Sequence, residues 1–404
     1  MTTLQTLINQ DRLWFCLDCG KCGAVCPISR WETSQHTSPR TLIEKAIHGD
    51  IDEVMQEPMF WSCLTCRQCS ELCPSGVHFS EFLRSARNLA RTYDRFGDCT
   101  HSEMIQTWGR LMTNPELRQN RLGWLRDDLK FSDDSDTLYF VGCMPYYDPL
   151  FRKLGVEGVE IAQAAVTIMN YLGIKPQIMA DERCCGHDQL WEGDVDTFRS
   201  LAMLNVQRLK ASGARRIITT CPECARTLKM DYPEYVGAHG LQVMHLSELL
   251  AQGNLPLPRN EDSWSPMRVT FQDPCRLGRH LGVYDAPRQV LTSLGCQVAE
   301  MSHHASASLC CGTSCWRACG QVSKSIQVER LDEARLTGAE QLVTACLKCQ
   351  IHFKCAQNDP LLGERIGIRV RDLTTLIAER LTDHRNPEVV TTPGVTSPTK
   401  QGGG

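Results

Sequence analysis

SGARRIITTCPEC (residues 212–224) and TGAEQLVTACLKC (residues 337–349) share one pattern: a glycine turn, a short run rich in apolar and β-branched residues, two small residues, then Cys-x2-Cys. A short apolar run bounded by a turn reads as a buried strand, so each Cys-x2-Cys sits at the carboxyl end of a strand. Working outward, DTLYFVGC (136–143) is echoed by VTFQDPC (269–275), and IMNYLGI (168–174) by RQVLTSLGC (288–296). An adjacent pair followed by glycine also recurs, as Cys184-Cys185-Gly186 and Cys310-Cys311-Gly312. The offsets are 132 residues from Cys143 to Cys275, 126 from Cys184 to Cys310 and 125 from Cys221 to Cys346, so a duplication with short indels organises residues 137–260 and 267–385.

Strands alternating with helical stretches predict α/β units with parallel sheets, the two copies related by pseudo-twofold symmetry. In each copy the lone cysteine and the Cys-x2-Cys then converge at the carboxyl edge of a sheet, where α/β folds place ligands. The first copy offers Cys143, Cys184, Cys185, Cys221 and Cys224, and the second Cys275, Cys310, Cys311, Cys346 and Cys349. Gly186 and Gly312, lacking a Cβ, would let the backbone approach a bound group.

Before the duplication, Cys16-x2-Cys19-x2-Cys22-x3-Cys26-Pro27 and Cys63-x2-Cys66-x2-Cys69-x3-Cys73-Pro74 both follow the bacterial ferredoxin spacing. Three thiolates of one loop reach three corners of a cubane, and the displaced fourth cysteine ligates the other cluster. Residues 1–100 are therefore expected to be an α-helical ferredoxin-type module for two cubane [4Fe–4S] clusters. One helix in it presents Phe82, Leu83, Ala86, Leu89 and Ala90 on a single face. Residues 101–136 read as a helical linker, and 386–404, NPEVVTTPGVTSPTKQGGG, as a disordered tail.

The chain has 404 residues, 23 of them cysteine, and a formal net charge of -4, which gives no reason to expect nucleic acid as a partner. No apolar run is long enough to span a bilayer, and the first residues, MTTLQTLINQDRLWF, lack the features of a secretory signal, so a cytoplasmic location is expected. An odd cysteine count, tight groupings and no export signal favour metal ligation over disulfides. Zinc is the alternative metal, but it has no use for the doubled ferredoxin spacing, and soft thiolates in such numbers favour iron–sulfur. Five thiolates per copy are one more than a cubane or a zinc site needs.

CCGHDQLWEGD, TTCPECARTLKMDYPEY, FQDPCRLGRHLGVYDAPR, CCGTSCWRACG and LVTACLKCQIHFKC carry a resemblance to the CCG-domain proteins, in particular to fused ferredoxin/CCG catalytic subunits of heterodisulfide reductases. The resemblance implies that each five-cysteine set binds a noncubane [4Fe–4S] cluster, and that two such clusters cleave a substrate disulfide with electrons arriving singly through the cubanes. It also implies other oxidoreductase subunits as partners, with a flavin- or ferredoxin-linked donor. Related subunits that serve only as electron conduits often lack some of these cysteines, whereas both sets are complete here. A non-catalytic electron-transfer subunit of a flavin- or quinone-linked complex is the rival reading.

His187, directly after the first pair, is a candidate proton donor to a leaving thiolate, with a packed or surface histidine as the plainer reading. Cys315 and Cys319 stand where relatives often have small residues. With Cys99, Cys296 and Cys355 they fall outside the ligand sets and are expected to be buried, unligated thiols.

Overall fold

The computed structural model describes residues 3–32, 37–253, 267–317, 319–363 and 365–383. The expected tail and the segment joining the duplicated copies lie outside the described residues.

The N-terminal module is a cluster of short helices, three of which open on proline at their first turn, at Pro27, Pro39 and Pro58. Proline is tolerated there because that N–H has no partner within the helix. The helix Phe79–Arg91 buries Phe82, Leu83, Ala86, Leu89 and Ala90, the face its periodicity predicts. Of residues 101–136, expected to be helical, only the turn His101–Glu103 and the helix Met104–Leu111 are so. Beyond them Pro115, Gly123 and the charged residues Arg126, Asp127, Asp128, Asp133 and Asp134 offer no continuous apolar stripe. That stretch runs as turns and plugs Trp124 and Leu129 into the core beyond.

The first copy forms a parallel sheet of β1 (Thr137–Tyr139), β2 (Arg216–Thr219) and β3 (Gln242–His245), in that order. The second has β4 (Arg268–Gln272), β5 (Gln297–Val298), β6 (Gln341–Thr344) and β7 (Arg369–Asp372), parallel in the order β5-β4-β6-β7. A lone parallel bridge between Leu138 and Gln177 stands where β5 stands in the second sheet, so the two copies repeat one strand order. The apolar runs are buried on both faces, as parallel strands require.

Helices of the two copies pack on one another across the boundary between them. Gly158–Tyr171 of the first packs on Leu373–Asp383 of the second, and Leu246–Gln252 of the first on Asp285–Ser293 of the second. Ile161, Ala165 and Ile168 thereby share one core with Leu373, Leu376 and Ile377. The N-terminal module shares a separate core with the second copy, in which Phe60 and Phe82 join Ile326, Leu331 and Phe353. Among the described residues no helix is long and apolar enough to cross a membrane.

Candidate metal centres

Both ferredoxin runs fold into the same loop. The second and fourth residues after the first cysteine adopt left-handed backbone in each, Asp18 and Gly20 in one and Thr65 and Arg67 in the other. This wraps three thiols around one space. One cavity is lined by Cys16, Cys19, Cys22, Cys73 and also Cys69, and the other by Cys26, Cys63, Cys66 and Cys69. Each run thus contributes its fourth cysteine to the other run's set. The first set is the more open, with Cys19 exposed, whereas Cys26 and Cys66 are buried.

In the duplicated copies the sulfurs form matching chains of close neighbours. Cys143 lies within hydrogen-bonding reach of Cys184, Cys184 of Cys185, Cys185 of Cys224 and Cys224 of Cys221. Cys275, Cys310, Cys311, Cys349 and Cys346 repeat that order. The strand ends put them there: Cys221 and Cys346 each follow β2 or β6 by two residues. The first set is then pinned by buried polar groups. Glu182 accepts from the backbone N–H groups of Val141 (3.0 Å) and Gly142 (2.7 Å) and pairs with Arg121, fixing the turn into Cys143. Asn205 donates to the Cys184 carbonyl at 3.1 Å and Tyr232 to that of Cys185 at 3.1 Å.

The four sets form a series. Cys69 lies at both ferredoxin cavities, Cys66 is in hydrogen-bonding reach of Cys310, and Cys346 faces Cys221 and Glu223 of the first copy. Arg276 and Arg279, closely following Cys275, clamp the Cys63–Cys66 loop. Arg276 donates to the Thr65 carbonyl (2.8 Å) and hydroxyl (2.7 Å), and Arg279 to the Cys66 carbonyl (2.6 Å).

The donor chemistry fits iron–sulfur groups. Burial pushes the Cys26 thiol up to about 11 and the Cys63 thiol up to about 12, so both stay protonated unless a metal displaces the proton. Cys66 moves the other way, to about 6, chiefly because Cys310 donates to it and also because Arg279 and Arg276 lie close. Among the described residues, no three cysteine sulfurs lie within 4.8 Å of one another. Thiolates around one zinc would be about 3.8 Å apart, given Zn–S bonds of about 2.3 Å in a tetrahedron.

Several expectations are redrawn. His187 is fully packed: its Nδ1 lies 3.1 Å from the Thr227 hydroxyl, and its Nε2 accepts from Arg276 Nε at 3.1 Å. Burial, and then the nearby Arg276, Lys348 and Arg226, push its pKa well below the usual histidine range. Gly186 and Gly312 have positive φ (+82° and +87°), and a Cβ there would strike Phe198 of the helix Val195–Ala211 in one case and the Ser323 carbonyl in the other. The glycine against a sulfur is Gly142, where a Cβ would stand 3.0 Å from Cys224 Sγ. Of the remaining thiols, Cys296 and Cys315 are buried, but Cys99 and Cys355 are half-buried and Cys319 is exposed. Lys348, unmarked by spacing, is buried between Asp188 and Glu223.

Fold and thiol sets together define a CCG-domain iron–sulfur protein: the Cysteine-rich domain (CCG) matches residues 137–229 and 269–354, and the 4Fe-4S dicluster domain matches 13–77. Within that class the chain is homologous to one subunit of the dihydromethanophenazine:CoB–CoM heterodisulfide reductase. It is 31% identical to the Methanosarcina mazei form of that subunit over 281 residues, covering 66% of this chain and 65% of that one. It is also 30% identical to an EtfAB:quinone oxidoreductase of Syntrophomonas wolfei, over 52% of this chain and 30% of the relative. A subunit of the fumarate reductase (CoM/CoB) of Methanothermobacter marburgensis is 30% identical over 59% of this chain and 45% of its own length. The chain thus spans less than two thirds of each relative's length. Its matched domains are those of iron–sulfur proteins.

Proposed function

We propose that this chain passes electrons through two cubane [4Fe–4S] clusters to two noncubane [4Fe–4S] clusters, one in each of two pseudo-twofold-related copies, and reduces a disulfide. Cys16, Cys19, Cys22 and Cys73 would hold the outer cubane and Cys26, Cys63, Cys66 and Cys69 the inner one, with one noncubane cluster on each five-cysteine set. When bound, these groups supply one-electron transfer and, at the five-cysteine sets, iron that can take sulfur. The observation that carries the reading is the unbroken series of four thiol sets, running from the exposed Cys19 inward to buried Cys310, Cys311, Cys184 and Cys185.

The protein's own groups fix that path. Arg276 and Arg279 hold the inner ferredoxin loop against the second copy, and Glu182 and Asn205 hold the first set rigid. The overall step is R–S–S–R plus two electrons and two protons giving two R–SH, the electrons coming from a flavin- or ferredoxin-linked partner subunit. A second reading, a conduit without disulfide chemistry, is favoured by the seam between the copies, where Lys348, Asp188, Glu223 and Trp316 are packed together.

The test is iron and acid-labile sulfide content with low-temperature EPR on anaerobically purified protein, titrated first with dithionite and then with thiols. About sixteen irons per chain, four from each of four clusters, with a thiol-sensitive signal in the oxidised state is the expected result. About eight irons and no thiol response would leave only the ferredoxin clusters.

A further inference from the structure

Glu223 and Lys348 occupy the same position of the duplicated Cys-x2-Cys, each one residue before the last cysteine. The duplication has given them opposite charges, and the fold brings them together: Lys348 Nζ lies 2.8 Å from Glu223 Oε2. The same ammonium contacts Asp188, three residues after Cys185, and lies 5.2 Å from the centre of the Trp316 ring. Lys348 is 7% exposed and Asp188 5%, so water does little to screen this group. Its field reaches both thiol sets, since Lys348 is adjacent to Cys349 in sequence and acts on Cys184 of the other copy.

We propose that Lys348 is a positioning residue: its buried ammonium, clasped by Glu223 and Asp188, joins the two Cys-x2-Cys loops and supplies the fixed positive charge that sets the reduction potential of the redox groups on either side. The inference rests on clusters occupying both five-cysteine sets. Adding an electron to a centre adds negative charge, which a nearby cation favours and a nearby carboxylate opposes. The low dielectric of a buried site magnifies both effects. Lys348 and Glu223 therefore pull the potentials in opposite directions, a signature that a purely structural pair would not give.

The experiment is a redox titration followed by EPR on the anaerobic full-length protein, with iron content measured first. Lys348→Met, which keeps the length of the stem, is expected to make the CCG centres harder to reduce by at least tenfold in the reduction equilibrium, about 59 mV for a one-electron step. Glu223→Gln is expected to make them easier to reduce, and Lys348→Arg to stay within threefold of the parent. Shifts of the same sign in Lys348→Met and Glu223→Gln, or shifts under threefold in both with iron retained, would overturn the proposal. Should Lys348→Met lose iron, Glu223→Gln decides alone, with a positive shift supporting the proposal and no shift or a negative one overturning it. About eight irons in the parent protein would remove the cluster assignment itself, and the proposal with it, before any variant is read.

Discussion

Arg87 gives the sharpest test of how the ferredoxin module is held to the rest. Its side chain is 1% exposed and is met by carbonyls: Phe60 O at 2.8 and 3.0 Å, Cys63 O at 3.0 Å, Trp61 O at 3.2 Å and, from the first copy, Trp191 O at 3.0 Å. Arg87→Met keeps most of the stem's volume but leaves these four acceptors, two buried and two part-buried, without that donor. Hydrogen bonds to a charged donor contribute about 1.5–3 kcal/mol each. Relief from burying the guanidinium offsets much of that sum, leaving about 3–5 kcal/mol, the usual cost of breaking a buried charged arrangement. With an unfolding entropy of about 2.1 cal/mol/K per residue, a chain this long loses about 1.2 °C per kcal/mol, so the thermal midpoint should fall by about 4–6 °C. The set Cys26, Cys63, Cys66 and Cys69 should lose iron first, because the Cys63 carbonyl is one of the tethers. Anaerobic thermal scans with iron analysis measure both effects. A fall under about 1 °C with full iron would refute the argument, showing that other groups or water satisfy those carbonyls.

Burial pushes Asp372 up to about 7, and its Oδ2 has no partner. The folded state therefore holds a proton there that the unfolded state has lost, so stability falls as pH rises from about 4 to 7. Asp372→Asn should flatten that slope and gain up to about 4 kcal/mol at pH 8, seen as a smaller difference between thermal midpoints at pH 5 and pH 8; an unchanged slope counts against it. At Gly193, with φ +94°, a Cβ would sit 2.5 Å from the Arg87 backbone carbon, so Gly193→Ala should cost about 2–5 kcal/mol in strain and overpacking. A midpoint equal to the parent's would show that the helix Phe79–Arg91 can move aside. Finally, Cys319 should be alkylated by iodoacetamide well before Cys296 or Cys315 in the native protein, as judged by peptide mass mapping. Equal rates would mean that the buried pair opens readily.

Cysteine spacing made the thiol sets legible because ligands that share a loop must be neighbours in sequence. The exchange of Cys26 and Cys73 between runs was readable for the same reason, and the strands leading to Cys143 and Cys275 were readable because DTLYFVGC and VTFQDPC both keep the apolar run that a parallel strand needs. Side chains that bind partners distant in sequence left no such trace. Arg87 reaches Trp191, Arg276 reaches Thr65 and Lys348 reaches Asp188, and nothing near any of them announces the contact. His187 was singled out by its neighbours alone. Its place beside the Cys184–Cys185 pair is plain in the sequence, but its partners Thr227 and Arg276 are again distant ones. Gly142 could have been found, since glycine between a strand and a cysteine marks a tight turn, but the second copy has Pro274 there and so gave no repeat to follow.

The helices packed across the boundary also constrain how such a chain could have arisen. Gly158–Tyr171 and Leu246–Gln252 pack their apolar faces against helices of the other copy. A single copy would need a second molecule of itself to shield those faces, so joining two copies in one chain turns an encounter between two molecules into an internal contact. Once fused, each half was free to diverge only in step with the other. Either half made alone today should be insoluble, while the two halves produced as separate polypeptides should find each other.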